Sequence, residues 1–130
     1  MKPYGPFAAR ILLGLVFFVF GLNFFLHFIP LPPVPAAAGA FEGAMVATHY
    51  IFELLKVLEV VCGALLLAGY FVPLALTLLA PIVVNIFFFH AVLAPAGLPV
   101  PVVVLALEIY LAWSYRSVFR AMLQSKVVPG

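Results

Sequence analysis

The run ILLGLVFFVFGLNFFLHFI, residues 11–29, contains no Asp, Glu, Lys or Arg. A helix needs roughly 20 mostly apolar residues to cross the hydrocarbon core of a bilayer, and this run supplies them. The rest of the chain offers no water-facing exterior in which to bury it. Of 130 residues, 68% are hydrophobic, only 8% are charged, and Asp is absent. A soluble domain carries charge on about a quarter of its residues. The solvent for most of this surface is therefore lipid, and a chain of this size fits one transmembrane domain, residues 1–130.

Composition also removes several function classes. The net charge of +2 is too small and too dispersed for a nucleic-acid surface. A single cysteine, Cys62, excludes an intramolecular disulfide and a CxxC redox pair.

Proline and hydropathy divide the chain into four expected spans, approximately 7–29, 50–70, 73–93 and 101–119. Pro30, Pro32, Pro33 and Pro35 end the first, because proline has no amide to continue a helix. Pro73 marks a tight reversal between the second and third, and Pro101 suits the first turn of the fourth. The first apolar core exceeds the roughly 7–15 residues of a signal peptide, so PAAAGA (35–40) reads as loop and not as a cleavage site. Within this first loop, 41–49 is long enough for a short interfacial helix. The expected fold is all-α, an up-down four-helix transmembrane bundle.

Orientation follows from the basic residues. Lys2 and Arg10 precede or open the first span, and Arg116, Arg120 and Lys126 lie at or beyond the end of the fourth. The loops between spans contain no Lys or Arg. Four spans place both termini on one side, which these residues make cytoplasmic, in a cell or inner membrane.

Against this background FELLKVLEVVCGALLLAG (52–69) is anomalous, since Glu53, Lys56 and Glu59 fall in its first half. A charge in mid-helix costs roughly 2.5–3.5 kcal/mol to insert, and each Leu, Ile, Phe or Val returns only about 0.3–0.6. Glu59, near mid-span, must be neutral, paired or beside water. At about 100° per residue the three side chains share an arc of about 120° and are expected to face inward. Other spans add polar groups at similar depth: Asn23 and His27 on the first, Asn85 and His90 on the third, Glu108 on the fourth. Gly14 and Gly21 lie on the opposite side of the first span, where they would let a neighbour approach closely. The inner half is almost wholly apolar until Arg10. This distribution predicts a polar pocket opening outward, with Glu59, Lys56, Asn85 and Glu108 orienting a ligand and Asn23 and His90 at its entrance.

Two details bear on that pocket. Asn23-Phe-Phe-Leu-His27 resembles Asn85-Ile-Phe-Phe-Phe-His90, and each precedes a proline and then a helix with a mid-depth Glu, a weak internal repeat. The Phe17, Phe18, Phe20, Phe24 and Phe25 run and Phe87–Phe89 could wall a pocket for a flat lipophile, although lipid-facing phenylalanine is the commoner case. No His-x-x-x-His or Glu-x-x-His pair occurs on one helix, so no metal site is expected.

Four pieces of the chain carry a family resemblance. They are Arg10-Ile-Leu-Leu-Gly14 with Gly21-Leu-Asn23; Lys56-Val-Leu-Glu59-Val with Gly63-Ala-Leu-Leu-Leu and Gly69; Ala80-Pro81-Ile-Val-Val-Asn85 through His90; and Glu108-Ile-Tyr110-Leu-Ala-Trp113 with Tyr115-Arg116. In order and spacing the chain resembles the DoxX family of small membrane proteins. The resemblance implies a four-helix membrane protein; family members are linked to thiosulfate–quinone oxidation and oxidative-stress complexes, and a distant animal relative assists nicotinic receptor assembly. It supplies no catalytic motif, and a lone Cys62 leaves no thiol relay.

The expected function is non-catalytic: binding of a small amphipathic molecule, or of a partner protein's membrane segment, in the outer pocket. The alternative is a quinone-linked redox subunit, with quinone as cofactor. The bland counterpart is that Glu59 and Glu108 only hold helices in register. A small-residue face could also serve a homo-oligomer.

Overall fold

The computed structural model describes residues 4–130; Lys2, used above for orientation, lies outside them. The described residues form helices and connecting turns, with no strand. The helices are α1 (Tyr4–Leu26), α2 (Ala36–Ala47), α3 (Ile51–Ala68), α4 (Val72–Leu93), α5 (Pro99–Ser114) and α6 (Arg116–Met122), with a 3₁₀ turn over Pro95–Gly97. Each of α1, α3, α4 and α5 packs against two of the others, α1 on α3 and α5, α4 on α3 and α5, which closes a ring. Leu13 and Phe17 of α1, Cys62 and Leu66 of α3, Leu76, Leu79 and Val83 of α4, and Leu111 of α5 fill its interior. Leu54, Leu78, Phe88, Val103 and Ile109 are exposed on the outside of the ring. An apolar exterior of this extent belongs in lipid.

Lipid tails are as apolar as leucine, so helices in a membrane associate through close packing. The α1–α3 contact shows how. A Cβ on Gly63 would sit 2.6 Å from the Phe18 backbone nitrogen, and one on Gly14 would sit 3.0 Å from the Gly63 carbonyl oxygen. The two backbones touch where glycine leaves room. Gly21 lies against Val60 and Glu59 in the same seam. The pairing of residues 10, 14 and 21 with 66, 63 and 60 makes the helices antiparallel.

The ends of the elements are set by local chemistry. α1 stops at Leu26, about three residues before the expected boundary, because the Asn23 side chain clamps the following loop. Asn23 Nδ2 donates to the Ile29 carbonyl at 3.0 Å, and the Ile29 amide donates to Asn23 Oδ1 at 2.7 Å. His27 takes a left-handed φ of 53° in that turn. α3 ends at Gly69, whose φ of 80° is a left-handed cap of the kind glycine adopts freely. The Arg10 guanidinium donates to the Leu66 carbonyl at 2.7 Å, which satisfies a terminal carbonyl and places positive charge at the negative end of α3. Arg10 is thus a helix cap, beyond the topological role read from sequence.

By length and composition α1 and α4, of 23 and 22 residues, can cross a membrane. The other two expected spans depart from that standard. α3 carries Glu53, Lys56 and Glu59 in 18 residues. The fourth span is broken: α5 stops at Ser114, and α6 turns 82° from it. The break has a local cause. Ser114 Oγ donates to the Tyr110 carbonyl and Arg116 to the Trp113 carbonyl, both at 2.9 Å. The Arg116 side chain takes a carbonyl that the amide of a continuing helix would take, while the Ser114 hydroxyl adds a second bond to a carbonyl one turn back within α5. Pro81, by contrast, leaves α4 a single helix. The Thr77 hydroxyl donates to the Pro73 carbonyl at 2.8 Å, so it does not fill the gap that Pro81 leaves at its own carbonyl.

The first loop does hold a helix. α2 begins earlier than expected, at Ala36, and packs on α3 and α4.

Candidate functional site

The charged residues of α3 divide. Lys56 Nζ donates to Glu59 Oε1 at 3.3 Å, one turn apart on the same face. Glu59 is 3% exposed, and burial at that level calls for such a partner. Lys56 also lies over the Phe52 ring at 5.1 Å, a cation–π contact that strengthens when water is excluded. Glu53 sits in the first turn of α3, where the helix dipole favours an acid, and its Oε1 is enclosed without a hydrogen-bond partner among the described residues.

Lys56 and Glu59 face a cavity of about 300 Å³ between α1, α2, α3, α4 and the start of α5. Asn85 and His90 reach it from α4, so four of the six expected site residues share one hollow. His90 Nδ1 lies 2.9 Å from the Ile86 carbonyl. A carbonyl only accepts, so Nδ1 carries the proton, and in the neutral ring Nε2 is left as an acceptor. Phe17, Phe20, Phe41, Phe52 and Phe89 supply the apolar wall. Of the phenylalanine runs weighed from sequence, Phe17, Phe20 and Phe89 line this cavity, whereas Phe24 stacks on Phe25 and Phe52 with centroids 5.0 Å apart.

Two expected members are elsewhere. Asn23 lines no part of this cavity, because both ends of its amide are committed to Ile29. Glu108 opens onto a second cavity, of about 530 Å³, between α4, α5 and α6. The expectation that Glu59 and Glu108 converge on one hollow is therefore corrected: the apolar core at Cys62, Leu66, Leu79 and Val83 occupies the ring, and each acid faces its own space. The weak repeat fails in function as well, since Asn23 ties a turn while Asn85 lines the cavity.

Sequence reading missed Phe41, Glu42 and Met45, which reach the first cavity from α2. Their spacing of one and four residues places them on one helical face, a signal present in the loop but without meaning until α2 is docked. Phe41 meets Phe89 across the cavity with centroids 5.8 Å apart. Among the described residues no three His, Cys, Asp or Glu side chains form a metal-binding group.

This arrangement can hold a molecule by its polar end. The Lys56 ammonium has three protons, and Glu59 takes one of them. Asn85 offers a donor and an acceptor, His90 an acceptor, and the aromatic wall accepts an apolar body.

No curated protein and no solved structure gives a significant match to this chain. A family model described as DoxX matches residues 5–91, well over half of the chain. The matched part contains α1–α3 and nearly all of α4, and stops short of α5 and Glu108. The chain belongs to the DoxX family.

Proposed function

We propose that this DoxX-family membrane protein crosses the bilayer four times and binds a small amphipathic molecule in the cavity beside Glu59. Lys56, Glu59, Asn85 and His90 hold the polar end, and the aromatic side chains take the apolar part. The observation that carries this reading is the meeting of an ion pair from α3 with Asn85 and His90 from α4 at one aromatic hollow. A set that served packing alone would close on itself and leave no space. α2 bears on the site as a cover, through Phe41, Glu42 and Met45.

The arginines support the orientation in which both termini are cytoplasmic. Arg10 lies at the α3 C-terminal end, the same end as Tyr110 of α5, whose hydroxyl lies against Gly5, and as Arg116 and Arg120 beyond it. The Glu59 cavity is toward the opposite end.

A quinone is the more specific reading, favoured by the flat aromatic walls and by the presence of both a carboxyl and an imidazole group. Both readings are tested by native mass spectrometry and organic extraction of the protein purified in mild detergent. A stoichiometric small molecule is expected from the wild type and should be depleted from Glu59→Gln at equal yield of folded protein. A quinone in the extract selects the redox reading. Equal losses of bound molecule and folded protein in Glu59→Gln would leave only a structural role for the pair. Repeated recovery of empty wild-type protein would overturn the ligand reading, and photo-crosslinking from position 41 to a single membrane protein would replace it with a partner segment.

A further inference from the structure

The cavity at the other end plays no part in that reading, and its chemistry is different. Glu108 is 7% exposed, and its Oε1 is enclosed without a hydrogen-bond partner among the described residues. A buried polar atom left in this state is destabilising unless something from outside supplies the partner. Glu108 lines the second cavity together with Ala80, Ala112, Arg116 and Arg120, and it is the one acid among the residues that do so.

Three distances and directions define what could enter. Arg116 folds back to donate to the Trp113 carbonyl at 2.9 Å and stacks over the Trp113 ring at 4.1 Å. Its charge therefore sits near the level of residue 113. Five residues separate that level from Glu108, about 7.5 Å along a helix at 1.5 Å per residue. An extended glycerol backbone lets a phospholipid reach across this distance from its phosphate to an ester carbonyl. α6, turned 82° from α5, lies across this end with Phe119, Met122 and Leu123 facing the cavity. The space is apolar between a cationic mouth and a carboxyl floor.

We propose that this cavity binds one diacyl phospholipid with a net negative headgroup. Arg116 and Arg120 hold the phosphate, the glycerol backbone passes Ala112, Glu108 in its acid form donates a hydrogen bond to an ester carbonyl, and the acyl chain attached there runs on past Ala80. Guanidinium groups suit phosphate because their planar donors match its oxygens.

The full chain in nanodiscs of mixed phosphatidylglycerol and phosphatidylcholine, released and weighed by native mass spectrometry, tests this. One retained lipid per chain is expected, with phosphatidylglycerol preferred by about tenfold to thirtyfold, as two basic side chains at a membrane surface allow. Arg116→Ala with Arg120→Ala should bring that preference close to one without loss of helix by circular dichroism. Glu108→Gln, which keeps a donor, should retain the lipid, and Glu108→Leu should lose it. An unchanged preference in the double variant, equal retention by Glu108→Gln and Glu108→Leu, or equal stabilisation by inorganic phosphate would each overturn the proposal. The Glu108 pair decides the matter even where the arginine variant fails to fold. Loss of lipid here leaves the Glu59 cavity untouched, so the two proposals fail separately.

Discussion

Glu59 and Glu108 are both buried carboxyl groups on helices of the same ring, yet they are provided for in opposite ways. Glu59 has Lys56 one turn away, an aromatic wall around the pair, and α2 laid over the opening. Glu108 has an oxygen with no partner in the protein and two arginines at the mouth of its cavity. The first site brings its own counter-charge and shapes a space beside it. The second is complete only when something enters. A buried acid in a membrane protein is thus not one kind of signal: its meaning depends on whether the chain supplies the partner.

The largest expected effect tests the first half of that contrast. Lys56→Met removes the partner from an enclosed Glu59 and should cost about 3–5 kcal/mol of stability, the usual result of breaking a buried pair from one side. Adding Glu59→Gln to it should restore most of the loss. A thermal or denaturant titration in a fixed detergent measures both, and additivity of the two losses would end the view of the pair as a unit.

A next test asks whether the two sites are mechanically separate. Gly21 lies against Val60 and the Glu59 Cβ. Gly21→Val should cost about 1–3 kcal/mol through overpacking and should reduce ligand retention at the Glu59 cavity while phospholipid retention at Glu108 stays unchanged. Loss at both ends would show a single coupled interior.

The sign of the third effect is the sharpest part of the comparison. Glu108→Leu, assayed in zwitterionic detergent free of phospholipid, should raise stability by about 1 kcal/mol, because it removes an unsatisfied oxygen. A loss comparable to that of Lys56→Met would mean that Glu108 has a protein partner after all. The smallest effect belongs to Phe41→Ala. Phe41 is 41% exposed, so its removal should cost less than about 1 kcal/mol while quickening exchange of the bound molecule, read by dilution and native mass spectrometry.

Much of the helical plan was legible because hydropathy and proline punctuation act locally. α1 and α4, the Gly69–Phe71 reversal, the glycine seam on α1 and the family all follow from short stretches. The breaks were not legible. Nothing in Trp113-Ser114-Tyr115-Arg116 announces that the Arg116 side chain will fold back onto the Trp113 carbonyl where the helix turns. Four of the six site residues share a cavity because α3 and α4 present them at one depth. Asn23 and Glu108 lie apart from that cavity for one reason. Depth along a helix can be counted from sequence, but the direction a side chain faces depends on neighbours remote in the chain. Arg10 illustrates the same limit, since its acceptor lies 56 residues away.

The backbone contact at Gly14 and Gly63 bears on how the chain is made. On the proposed four-span topology, α1 leaves the ribosome well before α3, and α3, with its three charges, is a poor candidate for lateral release alone. With α1 already in place, the glycine seam offers a docking groove on which α3 can partition together with its companion. Biogenesis of the pair is then cooperative, and substituting a bulky residue at position 63 would show first as failed integration and degradation, before any matured molecule exists to be weakened.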